Sequence, residues 1–206
     1  MKIFDSHCHL DDESFTPDLP LVLQRARQAE IQAMMVVGVD LKSSQRALAL
    51  AQTHPGLFAS VGIHPHDAQF CNKDILALLQ AMAAKPEVRA WGEIGLDFNR
   101  MYSPREDQEH WFVRQLEIGA ELDLPMIFHE RDSQGRFLEF LKSRWHDGRR
   151  GIVHCFSGSR DELKAYLDLD LYIGITGILT IKSRGRALRD MVSLSPQNRL
   201  LVETDA

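Results

Sequence analysis

Along this chain, short apolar or β-branched runs alternate with longer segments in which apolar residues recur at helical spacing. The runs fall at 3–5, 33–37, 58–62, 90–92, 126–128, 151–153, 171–175 and 200–203. Between them, 19–30, 43–53, 74–85, 133–145 and 184–193 carry helical patterns. Two further helices are opened by Ser103-Pro104-Arg105-Glu106 and Ser159-Arg160-Asp161-Glu162, which read as capping boxes. Eight strands, with room for a crossover helix in each interval, predict an α/β fold with parallel strands and in particular a (β/α)8 TIM-type barrel. A doubly wound open sheet is the structural alternative, but no glycine-rich phosphate loop follows the first run. At 206 residues the chain is short for such a barrel, and it stops directly after the eighth run. The expectation is therefore one barrel domain over 1–206, C-terminally incomplete and lacking its last helix. An apolar groove is expected where that helix would pack.

The chemistry sits at the ends of those runs. His7-Cys8-His9 follows the first, Glu93 the fourth, His129 the fifth, His154 the sixth and Asp205 the eighth. In an extended segment residues i and i+2 share a face, so His7 and His9 aim into the barrel mouth while Cys8 points away. The C-terminal strand ends of a barrel converge on one face, where active sites are built. A lone His-x-His is a weak signal, and Glu93 alone would read as a loop carboxylate. All six residues occupying the same place in their units is a pattern that unrelated structural histidines rarely produce. Four histidines with two carboxylates suit two divalent ions bridged by a carboxylate and a water.

Charge and cysteine content narrow the partners. With 24 Lys+Arg against 29 Asp+Glu the net charge is -5, which excludes a bulk cationic binder of nucleic acid or anionic membrane. A polyanionic substrate then needs a local source of positive charge. Two divalent cations outnumber the charges of Glu93, Asp205 and a bridging hydroxide by one, and so supply it. Cys8, Cys71 and Cys155 are odd in number and widely spaced, which argues against a disulfide framework. No secretory h-region forms at the start, and the longest uncharged apolar stretch, 171–181, is too short to cross a bilayer. These features point to a cytoplasmic protein without a membrane partner.

Six motifs resemble one known family. They are Ser6-His7-Cys8-His9-Leu10, Gly62-Ile63-His64-Pro65-His66, Gly92-Glu93-Ile94-Gly95-Leu96-Asp97, His129-Glu130-Arg131, His154-Cys155-Phe156-Ser157-Gly158 and Glu203-Thr204-Asp205-Ala206. In this order they look like the TatD-like metal-dependent deoxyribonucleases of the amidohydrolase superfamily. The resemblance covers the whole chain. It implies a two-metal hydrolase that degrades DNA, often as a 3′–5′ exonuclease, with single-stranded DNA or 3′ ends as the partner. Carried over by motif, His7, His9, Glu93 and Asp205 would bind one ion, and Glu93, His129 and His154 the other, with Zn, Mg or Mn as the metal. Family chains continue past the Glu-Thr-Asp motif, starting with a Pro that this chain lacks.

In the mechanism this implies, a metal-bridging hydroxide attacks phosphorus, and Glu93 and Asp205 are the catalytic carboxylates, Asp205 orienting or deprotonating the water. Substrate contacts are expected from His64, from Arg131 two residues past His129, and from Lys182 and Arg184 after the seventh run, where Arg186 and Arg189 extend the cationic cluster. His66 and Asp97 are weaker candidates, and Asp5 is either a support for the site or a buried structural acid. Two other readings stay open: a D-aminoacyl-tRNA deacylase or other metal-dependent ester hydrolase on the same scaffold, and an inactive truncated binding protein.

Overall fold

The computed structural model describes residues 2–146 and 148–206. Eight parallel strands follow one another round a single sheet in chain order: β1 (Ile3–Cys8), β2 (Ile31–Val37), β3 (Leu57–Val61), β4 (Val88–Asp97), β5 (Met126–Arg131), β6 (Gly151–Val153), β7 (Tyr172–Ile175) and β8 (Leu200–Val202). The crossovers carry α1 (Leu19–Gln28), α2 (Leu41–Thr53), α3 (Lys73–Ala83), α4 (Arg105–Glu121), α5 (Arg136–Arg144), α6 (Arg160–Asp168) and α7 (Arg186–Val192). The expected (β/α)8 barrel is therefore present. Its seam is closed by the residues just after β8: Asp205 N donates to His7 O at 2.9 Å and His9 N donates to Ala206 O at 2.6 Å. No helix follows β8 among the described residues, and Val202 is 55% exposed there. None of the described helices is long and apolar enough to cross a membrane.

Strand alternation sorts apolar residues into two cores. Val36, Val61, Trp91 and Phe128 face outward and pack with Leu79, Phe112, Leu116 and Phe137 from the helices. Met35, Val37, Ala90, Ile127 and Ile152 face inward and fill the barrel axis. Below them an apolar cavity of about 370 Å³, lined by Phe4, Tyr172 and Leu201 among others, marks the floor of the barrel.

One capping box holds and the other does not. Ser159 accepts from Glu162 N while the Glu162 carboxylate accepts from Ser159 N, so α6 starts as its sequence predicts. At α4 the N-cap residue is Pro104 and no side chain caps the helix. The Ser103 hydroxyl is engaged elsewhere, donating to His66 O at 2.7 Å and accepting from Gln69 N at 3.0 Å. It ties the 3-10 turn Pro65–Phe70, which the hydrophobic pattern does not reveal, to the loop after β4.

Candidate metal centre

Strand alternation also builds the site. Two residues above the inward-facing Ile127, Ile152 and Leu201 stand His129, His154 and Glu203, and β1 adds His7 and His9 after an irregularity in its pairing with β2. Cys8 points away as expected, its thiol donating to Met35 O at 3.3 Å. Glu93 occupies the centre, 3% exposed, and its two carboxylate oxygens face different partners. Oε2 lies 3.3 Å from His7 Nε2 and 3.9 Å from His9 Nε2. Oε1 lies 2.7 Å from His154 Nε2, 3.0 Å from His129 Nδ1 and 3.3 Å from His64 Nε2. Asp205 Oδ1 sits 3.8 Å from His7 Nε2 and 3.7 Å from His9 Nε2, its side chain 34% exposed at the mouth. A pocket of about 420 Å³ opens over these groups.

Backbone and carboxylate partners decide which ring nitrogen of each histidine offers a lone pair. His9 Nδ1 lies 3.2 Å from Val37 O, and because a carbonyl only accepts, the proton sits on Nδ1 and the Nε2 lone pair faces Glu93. His129 Nε2 donates to Asp97 Oδ2 at 3.1 Å, which turns Nδ1 toward the centre, where it offers a lone pair once its own proton is lost. His64 is the reverse case: its Nδ1 accepts from His66 N at 3.1 Å, so the proton is on Nε2 and points at Glu93 Oε1. His64 is thus a hydrogen-bond donor to the site rather than a ligand. His64, His66 and His129 also bring three nitrogens close together, but this tautomer and the Asp97 bonds leave that group without converging lone pairs. The sets His7, His9, Glu93 and Glu93, His129, His154 and His7, His154, Asp205 each place one donor atom per residue within 4.8 Å.

Electrostatics agree with a cation site. Burial, aided by the nearby His154, drives His7 down to about 3, so it is neutral with a free lone pair. Burial lowers His64 to about 4 despite the Glu93 charge. For His129 burial acts downward, but the hydrogen bonds to Asp97 and Glu93 outweigh it and raise the imidazole to about 9. His154 is likewise raised, the Glu93 carboxylate overcoming burial. Glu93 itself is held well below the usual carboxylate range, because four histidines outweigh its burial. A buried carboxylate kept charged and ringed by nitrogens 2.7–3.9 Å away is a donor set that a divalent cation completes.

Two carboxylates behind the ligands carry more of the site than their sequence signals suggest. Asp97, 1% exposed, accepts from His66 Nε2 at 2.8 Å and His129 Nε2 at 3.1 Å through Oδ2, and from Asn99 N and Arg100 N through Oδ1. Glu203 lies beneath His154, accepting from Cys155 N and, at 3.3 Å, from Ser6 Oγ. Its Oε1 is 3.7 Å from His154 Nδ1, and burial raises the carboxyl to about 7. Gly174 makes room for it, since a Cβ there would lie 2.5 Å from Glu203 Oε2. Glu203 is not among the six candidate ligands that the strand-end pattern marks. Its signal was parity: it stands two residues beyond Leu201, an inward-facing position. Asp5 takes the structural option, accepting from Thr204 N at 3.0 Å and from Thr204 Oγ1 at 2.7 Å to latch the β8 end onto β1.

Of the expected substrate contacts, His64 joins the pocket. Arg131, Lys182 and Arg184 are exposed and do not line it. Arg131 ends β5, and Lys182 and Arg184 sit in the turn before α7.

A barrel whose mouth gathers histidines and carboxylates into one cation-binding cluster defines the class of metal-dependent hydrolases. Within that class the chain belongs to the TatD related DNase family, whose model matches residues 4–206. It is 43% identical to the 3′-5′ ssDNA/RNA exonuclease TatD of Citrobacter rodentium, covering 99% of this chain and 78% of that one. Among solved structures it is similar to YJJV, a TatD homologue from Escherichia coli K12, with a TM-score of 0.91 and 33% identity over 99% of this chain and 79% of that one. A TatD family hydrolase from Entamoeba histolytica superposes with a TM-score of 0.90 at 25% identity, over 100% of this chain and 74% of that one.

Proposed function

We propose that the protein is a divalent-metal-dependent 3′–5′ exonuclease of single-stranded DNA. The observation that carries this reading is the division of labour at Glu93, whose Oε2 faces His7 and His9 while Oε1 faces His129 and His154. A carboxylate flanked by separate donor sets on its two oxygens is suited to bridging two ions. His7, His9, Glu93 and Asp205 would hold the first, and Glu93, His129 and His154 the second, with Zn, Mg or Mn as candidates. Divalent ions held there would lower the pKa of water and offset the charge of the phosphodiester.

The chain's own residues supply the rest. Asp205, open to the mouth, would orient the attacking water and take its proton on Oδ1. His64, kept neutral with its one proton on Nε2, donates toward Glu93 Oε1 in the free protein and would turn that donor to a phosphoryl oxygen when substrate is bound. Val37 O and Asp97 hold the rings of His9 and His129 in position before substrate arrives. The relatives named as single-strand exonucleases support the choice of substrate and polarity.

Time-resolved digestion of end-labelled single-stranded DNA in Mg²⁺, Mn²⁺ or Zn²⁺ tests the reading. A 3′ label should appear at once as mononucleotide, and a 5′ label should pass through a ladder shortened one nucleotide at a time. Internal cuts from the earliest times, or cleavage that persists in chelator, would overturn it.

A further inference from the structure

A second groove of about 340 Å³ leaves the metal pocket, sharing Asp40 and Asp67 with it. Leu41, Ile63, Ile75 and Phe70 give it apolar walls, and Lys42 also lines it. Phe70 is 67% exposed, a large aromatic that packing does not require. The turn that carries it is nevertheless tied in place. The preceding Gln69 donates from Nε2 to Tyr102 O at 2.7 Å and from its backbone N to Ser103 Oγ at 3.0 Å. The same turn carries His66, whose Nε2 shares Asp97 Oδ2 with the site residue His129.

Resting on the exonuclease reading, we propose that this groove receives the 3′-terminal nucleoside of the strand, with its base stacked on Phe70 and its free 3′-hydroxyl among the carboxylates. An exposed ring beside a reaction centre suits a base, because every base presents a π-face and stacking tolerates any sequence. The charge pattern then sets where the strand must stop. Asp40 and Asp67 stand at the junction of the two pockets, and Asp11 and Asp12 line the metal pocket beside them. Of these four, Asp11 is paired, with Arg46 at 3.2 Å. A strand continuing through the groove would carry its next phosphate into these carboxylates. A chain end brings a hydroxyl instead, which can donate a hydrogen bond to one of them. The groove thereby gives a physical cause for attack at ends rather than within the strand.

The test is fluorescence titration of the protein with 2-aminopurine 2′-deoxyriboside and with its 3′-monophosphate, a measurement that needs no turnover. The nucleoside should be quenched saturably and bind at least about tenfold more tightly than the 3′-monophosphate. Phe70→Ala should weaken the nucleoside by about tenfold, whereas Phe70→Tyr keeps the ring and should restore binding. Asp40→Asn with Asp67→Asn should shrink the preference over the 3′-monophosphate to less than about threefold; Asp40 caps α2 by accepting from Ser43 N, and an Asn there can still do so. No saturable binding, full affinity in Phe70→Ala, or an unchanged preference in the double variant would overturn the groove assignment. Digestion of the labelled oligonucleotide separates the two readings. Intact titration without any metal-dependent cleavage removes the exonuclease and leaves a nucleoside site, while cleavage without nucleoside binding does the converse.

Discussion

On β5, β6 and β8, Ile127, Ile152 and Leu201 are each followed two positions later by His129, His154 and Glu203, so one strand feeds both an apolar layer and a polar layer of the same barrel axis. The lower layer is close-packed hydrocarbon above an apolar cavity, and its members differ chiefly in volume. The upper layer holds charged and ring-nitrogen groups, most of them paired with one another, although His7 Nδ1 and His154 Nδ1 are buried without a hydrogen-bond partner. Period-2 alternation makes both, which means that the fold tolerates the buried polar layer only because it is mutually paired or awaits a cation.

Substitution at the two layers should therefore separate stability from activity. Glu93→Ala removes the one side chain placed between both donor sets, and hydrolysis of single-stranded DNA should fall by about a thousandfold or more while the protein still unfolds cooperatively. Ile127→Ala in the lower layer should do the opposite, costing about 2 kcal/mol in denaturant unfolding while activity per folded molecule survives. A Glu93→Ala protein with near-normal turnover and stoichiometric metal would show that the upper layer is not the working one.

Asp97→Asn sharpens the comparison from below the ligands. An amide in place of the carboxylate loses the charge-assisted hydrogen bond that directs the His129 Nδ1 lone pair inward. Metal affinity by calorimetry should drop about 10- to 100-fold, with activity partly recovered at high metal concentration. Unchanged affinity would make Asp97 a loop anchor alone, through its bonds to Asn99 N and Arg100 N.

The upper layer should also couple metal to protons, which the lower layer cannot do. Metal-free His129 is raised to about 9, so at neutral pH its ring is protonated and a cation must displace a proton to reach Nδ1. Metal affinity should accordingly rise with pH up to about 9 and then level off, with proton release visible as a buffer-dependent binding enthalpy. The sign for stability is opposite. A histidine raised above its unfolded value of about 6.5 stabilises the metal-free fold fully below that pH, and the gain is lost as pH climbs through about 9. Metal binding that is flat between pH 6 and 9 would contradict the raised His129.

What was legible in the sequence followed the same division. All eight strands and seven helices were readable, because alternation and helical spacing are local. The six candidate ligands stand out in the sequence because each comes just after an apolar run, although β1, β4 and β5 extend past those runs and contain His7, Glu93 and His129. Glu203 was passed over in favour of Asp205, although its parity with Leu201 puts it inside the barrel. Ser103 was misread because Ser-Pro-Arg-Glu satisfies the capping pattern locally, while its real partners, His66 O and Gln69 N, lie some thirty-five residues away in sequence. Arg131 has the parity of His129 yet stands outside the pocket, since a strand end fixes the direction of a side chain but not how far toward solvent a long one reaches.

The smallest expected effect concerns the cationic turn after β7. Lys182 and Arg184 are exposed and do not line the metal pocket, which suits them to phosphates farther along the strand than the scissile one. Their side of the mouth contrasts with the aspartates around Asp40 and Asp67, and a polyanion entering from the cationic side would end at the acidic one. Each phosphate contact on a single strand contributes about 0.7 to the slope of log affinity against log salt, so Lys182→Ala with Arg184→Ala should flatten that slope by about 1.4. The KM for oligonucleotides should rise several-fold, a loss concentrated on long substrates because bis(p-nitrophenyl) phosphate is too short to reach the turn. An unaltered salt slope would mean that the strand leaves the pocket by another route. Equal losses on the small diester would mean that the turn acts on the metal centre itself, which its separation from the pocket argues against.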